Sequence, residues 1–195
     1  MQFKEVLPRC LSKRYAMRGM ALCLALGMVT PVSAQYVEDL SARSILIANL
    51  GESALLSMQL LAARAQNRSD IPASVLACVK SLDKTSFDPI LSIAISENLS
   101  DEEIAAAENF YASDLGRKYA KHGLLQVYEA AGAEPPEDYP AFSEEEMKTL
   151  EAFSLTPAGD KLIVKKVLAK PPVRRAMASL TQELFARCHA WRVQR

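Results

Sequence analysis

Three observations in the sequence predict an all-α fold. Apolar residues recur at helical spacing along most of the chain, β-branched residues are too scattered and polar alternation too rare for a sheet, and two Ser-x-x-Glu sequences mark helix starts. The expected architecture is a single compact helical bundle of about seven helices, containing two repeated helical hairpins.

The N-terminal segment is expected to stand apart from that bundle. Lys13, Arg14 and Arg18 precede an apolar stretch from Ala21 to Val29, which ends in Pro31-Val32-Ser33-Ala34 before Gln35. Charged, apolar and small residues in that order read as a secretory signal peptide, residues 1–34, cleaved after Ala34, which places the mature protein in the periplasm. The apolar run is shorter than the roughly 20 residues that span a bilayer, and Pro31 interrupts it, which argues against a permanent anchor. Lipoprotein processing at Cys23 would leave apolar residues at the new terminus and is disfavoured. Met17-Arg18-Gly19-Met20 is already a sufficient charged start, so initiation there would leave the mature chain unchanged. Residues 35–195 remain, 161 in all, enough for one domain that buries roughly two thirds of its unfolded surface.

The first helix is expected over 37–66, with Leu46, Leu50, Ala54, Met58 and Leu61 as its apolar stripe and Gly51 as a local weak point. A second follows Pro72 at its first turn. A third, short and apolar through Ile90, Leu91, Ile93 and Ile95, starts at Asp88-Pro89 and is expected to be among the most buried elements. The stretch from Ala133 to Pro140 holds three prolines among acidic residues and reads as a surface linker.

Around that linker the chain repeats itself. The segment from Leu99 to Lys118 aligns without gaps on Phe142 to Lys161, at a constant offset of 43 residues. Ser100 matches Ser143, Glu103 matches Glu146, Phe110 matches Phe153, Gly116 matches Gly159 and Lys118 matches Lys161. Each Ser-x-x-Glu is a capping box that starts a helix, and each phenylalanine falls on the core face about two turns in. Ser113 and Thr156 read as N-caps of a second helix, with Pro157 at its first position and the glycines permitting close helix contact. The repeats, about 98–132 and 141–173, are thus read as helical hairpins packed around a shared core. A Ser-capped, Glu-rich helix, then Phe-Tyr, then Ser/Thr-Pro-x-Gly-x-Lys resembles the bacterial domain-of-unknown-function family 2059. The second copy is the closer match; the first keeps Phe110-Tyr111 but has Asp114 where proline is expected. The likeness spans Asn98 to Val173 and implies an exported, all-helical protein; it implies no activity.

The whole chain carries no net formal charge, but the leader holds five basic residues and one acid, so the mature part is mildly acidic. From Lys161 onward there are nine basic residues against Glu183 alone, a basic end on an acidic body. Cleavage leaves two cysteines, Cys78 and Cys188, in an oxidising compartment. Ile71, Val75, Cys78 and Leu82 share one helical face, and Val173, Met177, Leu180, Leu184, Cys188 and Trp191 share another, so both thiols should point inward. A disulfide between them is expected; the alternatives are two separate buried cysteines or pairing between chains.

Catalytic readings find little to work with. Cys188-His189 are neighbours on a helix and point about 100° apart, which is wrong for a nucleophile and its base. Neither His-x-x-x-His nor Cys-x-x-Cys occurs, so no metal is expected. A glycosidase carboxylate pair drawn from Glu102-Glu103 and Glu144-Glu145-Glu146 is better explained as first-turn capping and dipole chemistry. No glycine-rich phosphate loop or Gly-x-Ser-x-Gly elbow is present, and no cofactor is expected.

The expectation is therefore a non-catalytic binding or interaction role in the cell envelope. Lys165, Lys166, Arg174 and Arg175, with Lys170, Arg187, Arg192 and Arg195, offer a basic surface to an envelope protein or an anionic membrane, unless their charges are simply solvated or paired with the Glu-rich helices. A homodimer is a further arrangement; nucleic acid is not an expected partner in this compartment. The alternative is a carrier of a lipid or other apolar ligand, in a pocket between the hairpins lined by Ile93, Phe110, Leu125 and Phe153, against which stands a filled core. An envelope hydrolase ranks third.

Overall fold

Helix α1, Ile45–Asn67, is the element on which much of the fold is laid: α2 to α5 and a short 3-10 turn all pack on it. The computed structural model describes residues 44–190; the expected signal peptide, residues 35–43 and the last five residues, Trp191 among them, lie outside these. Ser44 is the N-cap, its Oγ accepting from the Ile47 N–H at 3.0 Å, so the helix begins at Ile45 rather than at 37. Its buried line runs Leu46, Ile47, Gly51, Met58 and Ala62. Leu61, expected in that line, is 49% exposed because Ala62, one residue further round the helix, takes the inward place. Gly51 is a seat: a Cβ there would lie 2.9 Å from the Lys84 carbonyl oxygen. By length and hydropathy α1 could cross a membrane, but here it is a packing platform for its neighbours.

Helix α2, Ala73–Lys80, follows its N-cap Pro72 and buries Val75 and Val79. The 3-10 turn Lys84–Phe87 drives Phe87 fully into the core, a burial that stabilises by about 2 to 3 kcal/mol. Helix α3, Asp88–Asn98, buries Leu91, Ser92, Ala94 and Ile95, whereas Ile93 is 47% exposed, since the inward positions at three- and four-residue spacing leave it on the outer side. Then come α4, Asp101–Ala112; α5, Asp114–Ala130; and α6, Glu144–Ser154. The linker between α5 and α6 carries no helix, and Glu137 within it holds Lys121 of α5 at 2.6 Å. Helix α7, Pro157–Gly159, continues as a π-helical turn over Asp160–Val164, and a 3-10 turn at Val167–Ala169 leads into α8, Pro171–Ala190.

The described residues thus form eight α-helices and no strand, an all-α fold with one helix more than expected. The arm after Thr156 is where expectation and structure part. Instead of a helix matching the 17 residues of α5, the chain stops helical winding at Val164 and turns through a left-handed Lys166, φ 48°. Lys170 is extended ahead of Pro171, as a residue preceding proline prefers.

A disulfide joins Cys78 of α2 to Cys188 of α8, Cα atoms 5.5 Å apart, across 110 residues of sequence. Leu184 and Cys188, 1% and 2% exposed, enter the same core cluster as Ile47, Met58, Val75, Phe87 and Ile95. The C-terminal half of α8 is therefore fastened to the bundle both covalently and by burial.

Candidate functional site

The matched residues of the two segments adopt matching local geometry. Ser100 Oγ accepts from the Glu103 N–H at 3.3 Å while Glu103 accepts from the Ser100 N–H at 2.7 Å; the corresponding distances for Ser143 and Glu146 are 3.2 and 2.7 Å. Ser113 Oγ accepts from the Gly116 N–H at 3.0 Å, and Thr156 Oγ1 from the Gly159 N–H at 3.1 Å. A Cβ on Gly116 would fall 1.9 Å from the Phe110 carbonyl oxygen, and one on Gly159 the same distance from that of Phe153. Both glycines are demanded by close approach to the preceding helix. Pro157 stands in the first turn of α7, as expected.

The two segments also engage one another crosswise. Lys118 pairs with Glu146 at 2.7 Å and Lys161 with Glu103 at 2.6 Å, each lysine reaching the cap glutamate of the other segment. Both carboxyls are held below the usual carboxylate range, first by the lysine hydrogen bond and then by the cap amide. Phe110 and Phe153 stack face to face, centroids 3.9 Å apart. Of the other residues expected to line a pocket between the hairpins, Leu125 is 3% exposed and Ile93 lies in a small groove with Val167 and Val173. Phe110, Leu125 and Phe153 do not line that groove.

A cleft of about 550 Å³ opens elsewhere, between α1, the end of α4, and α5. Leu46, Leu50, Tyr111, Tyr119, Val127 and Ile163 supply apolar wall; Asn49, Ser53, His122, Gln126 and Lys166 supply polar groups. Burial pushes the Tyr111 phenol up to about 12, with neighbouring Tyr119 adding to the shift, so it stays neutral. The His122 ring lies against Tyr139 and Phe142, at 4.9 and 5.7 Å, and its Nδ1 is buried without a hydrogen-bond partner. A second, more polar hollow lined by Glu52, Arg117, Lys121 and Glu137 shares Asn49, Ser53 and Ala120 with the cleft.

The basic residues singled out from sequence are dispersed in role. Lys165 is bound to Asp160, Lys166 lines the cleft, and Arg174 and Arg175 are exposed on the first turns of α8. Cys188 is committed to its disulfide and is no thiol beside His189. Glu102 and Glu103, like Glu144, Glu145 and Glu146, occupy first helical turns. Among the described residues no three His, Cys, Asp or Glu side chains group as metal ligands.

One functional-looking carboxylate escaped the sequence reading. Glu108, in the middle of α4, accepts from Ser44 Oγ, from the Ile45 N–H at 2.8 Å and from the Leu46 N–H at 3.3 Å, clamping the N-terminus of α1. No local pattern announces a contact across more than 60 residues, although its match to Glu151 at the constant offset was available. No family model, no curated protein and no solved structure matches the chain.

Proposed function

We propose that this protein is exported to the cell envelope and there binds, without chemistry, an amphiphilic small molecule in the cleft between α1 and α5. The observation that carries the reading is the cleft itself: about 550 Å³, walled by leucines and tyrosines, with a few polar groups and Lys166 beside them. Volume and lining fall within the range of small-molecule sites, where apolar wall gives affinity and a few polar groups fix orientation. Lys166 favours an acidic head group, with the apolar body along Leu46, Leu50 and Tyr111. Export is supported by the order of charged, apolar and small residues before Gln35 and by the Cys78–Cys188 disulfide, which suits an oxidising compartment.

Gly123 gives a clean test. It lines the cleft, and a Cβ built on it meets nothing within 4 Å, so Gly123→Trp should fill the cleft without disturbing the bundle. Protein purified from its own periplasm would be denatured and the released molecules weighed. An anionic amphiphile released from the wild type and absent from folded Gly123→Trp supports the reading; no released molecule from either overturns it and leaves a plain interaction module.

We further infer that 98–132 and 141–173 descend from one hairpin unit, the second shortened after Val164. The matched caps, glycine seats and crossed ion pairs support this. The resemblance to family 2059 is proposed on the same residues.

A further inference from the structure

Glu108 and Glu151 hold the same place in α4 and α6, yet among the described residues Glu108 alone of the two holds a helix end. Around Glu108, Ile104 and Ala107 are 6% and 0% exposed and share a core cluster with Leu46 and Ile47 of α1. At the matching places in α6, Met147 is 53% exposed and Leu150 only half-buried, and Leu155 just beyond is 80% exposed. No residue of α6 is buried. The Glu151 side chain is exposed and makes no hydrogen bond or ion pair among the described residues. Met147, Leu150, Glu151 and Leu155 fall within one broad face at helical spacing. The second segment therefore carries the device that seats α1 on the first, with no helix among the described residues seated there.

We propose that this face of α6 docks the N-terminal turn of an apolar helix from a partner protein, Glu151 accepting the amide N–H groups of that turn as Glu108 does for α1. The chemistry of the occupant follows from the occupied copy: a hydroxyl N-cap followed by apolar residues, as in Ser44-Ile45-Leu46-Ile47. The charge agrees, because Glu151 is an exposed acid with Glu144, which pairs with Lys148 at 2.8 Å, on the same side of α6, and a carboxylate there attracts the positive end of a helix. The α1 of a second copy is an unsuitable occupant, since its own Glu108 already holds it. This site is separate from the cleft and does not depend on a ligand there.

The test uses the full mature chain and, as probe, an acetylated peptide of residues 44–58 with a lysine tail and a fluorophore at its C-terminus. Anisotropy should show saturable binding, about tenfold weaker for Glu151→Gln and lost for Met147→Lys or Leu155→Ser, variants whose folding is checked by circular dichroism. A Ser44→Ala peptide should lose affinity for the wild type but not for Glu151→Gln. No saturable binding overturns the proposal, as does binding indifferent to all three substitutions, which would mean exchange with α1. Self-association in sedimentation that Met147→Lys abolishes would assign the face to a second copy instead, and flotation with phosphatidylglycerol vesicles lost in the same variant would assign it to a membrane; either overturns the proposal.

Discussion

The ring of Phe110 lies flat on the ring of Phe153, centroids 3.9 Å apart and planes 5° from parallel. These residues hold the same place in segments 43 positions apart, so the stack joins the two where they meet. Both rings are only half-buried, and truncating either to alanine should cost about 2 kcal/mol in urea unfolding, below the range for a fully buried ring. The double variant should cost about 1 kcal/mol less than the sum, because the pair interaction is lost only once. Strict additivity would mean that the rings merely share a surface.

The crossed pairs Lys118–Glu146 and Lys161–Glu103 make stability depend on acid. Folding lowers both glutamate pKa values below the ordinary glutamate value of 4.5, so their contribution is full above that value and is lost as pH falls through the folded values. Melting temperature should therefore fall more steeply below pH 4.5 in the wild type than in a Lys118→Met, Lys161→Met double variant. Equal slopes would remove these pairs as the source of acid sensitivity.

What was legible in the sequence was local, or followed from the expected processing of the leader. Ser100, Ser143 and Thr156 act within three residues of their partners, and Pro157 within one turn, so their roles can be read from spacing alone. Cys78 and Cys188 each fell on an apolar face, and the expected removal of residues 1–34 leaves these two cysteines to pair. Burial was read one helical step out at Leu61 and Ile93, where neighbours of equal apolarity compete for the inward place. The crossing of the ion pairs was not legible, because it depends on how two similar segments face one another. Nor was the Glu108 clamp, or the cleft, whose walls come from α1, α4, α5 and the π-helical turn at once. Lys166 gave no warning that winding would stop there, since a left-handed turn is usually marked by glycine or asparagine.

Three glycines should answer differently to the same substitution. Gly116→Ala and Gly159→Ala place a methyl 1.9 Å from a backbone carbonyl oxygen, which no rotamer change relieves, and each should cost about 3 kcal/mol. Gly123→Ala meets nothing within 4 Å and should stabilise α5 by about 1 kcal/mol through helix propensity. Denaturant midpoints for the three variants check the sign as well as the size. A mild effect at Gly116 or Gly159 would show that the turn between the helices can open.

Reduction should weaken the bundle without abolishing its helices. The Cys78–Cys188 bond closes a span of 110 residues, for which chain entropy gives about 4 to 5 kcal/mol. Unfolding in urea with and without reductant should differ by about that amount, and a Cys78→Ala, Cys188→Ala variant should match the reduced protein and ignore reductant. A reductant effect persisting in the variant would point to a cysteine outside the described residues.

Ser92 should prove to be a destabilising residue in its own core. It is fully buried in α3, and its hydroxyl has no hydrogen-bond partner among the described residues. A desolvated, unsatisfied hydroxyl costs about 1 to 3 kcal/mol, and alanine removes it while keeping the Cβ and raising helix propensity. The small cavity left by one oxygen offsets part of the gain, so Ser92→Ala should raise stability by about 1 kcal/mol in thermal or urea unfolding. A loss of stability would mean that the hydroxyl bonds to a buried water or a neighbouring carbonyl.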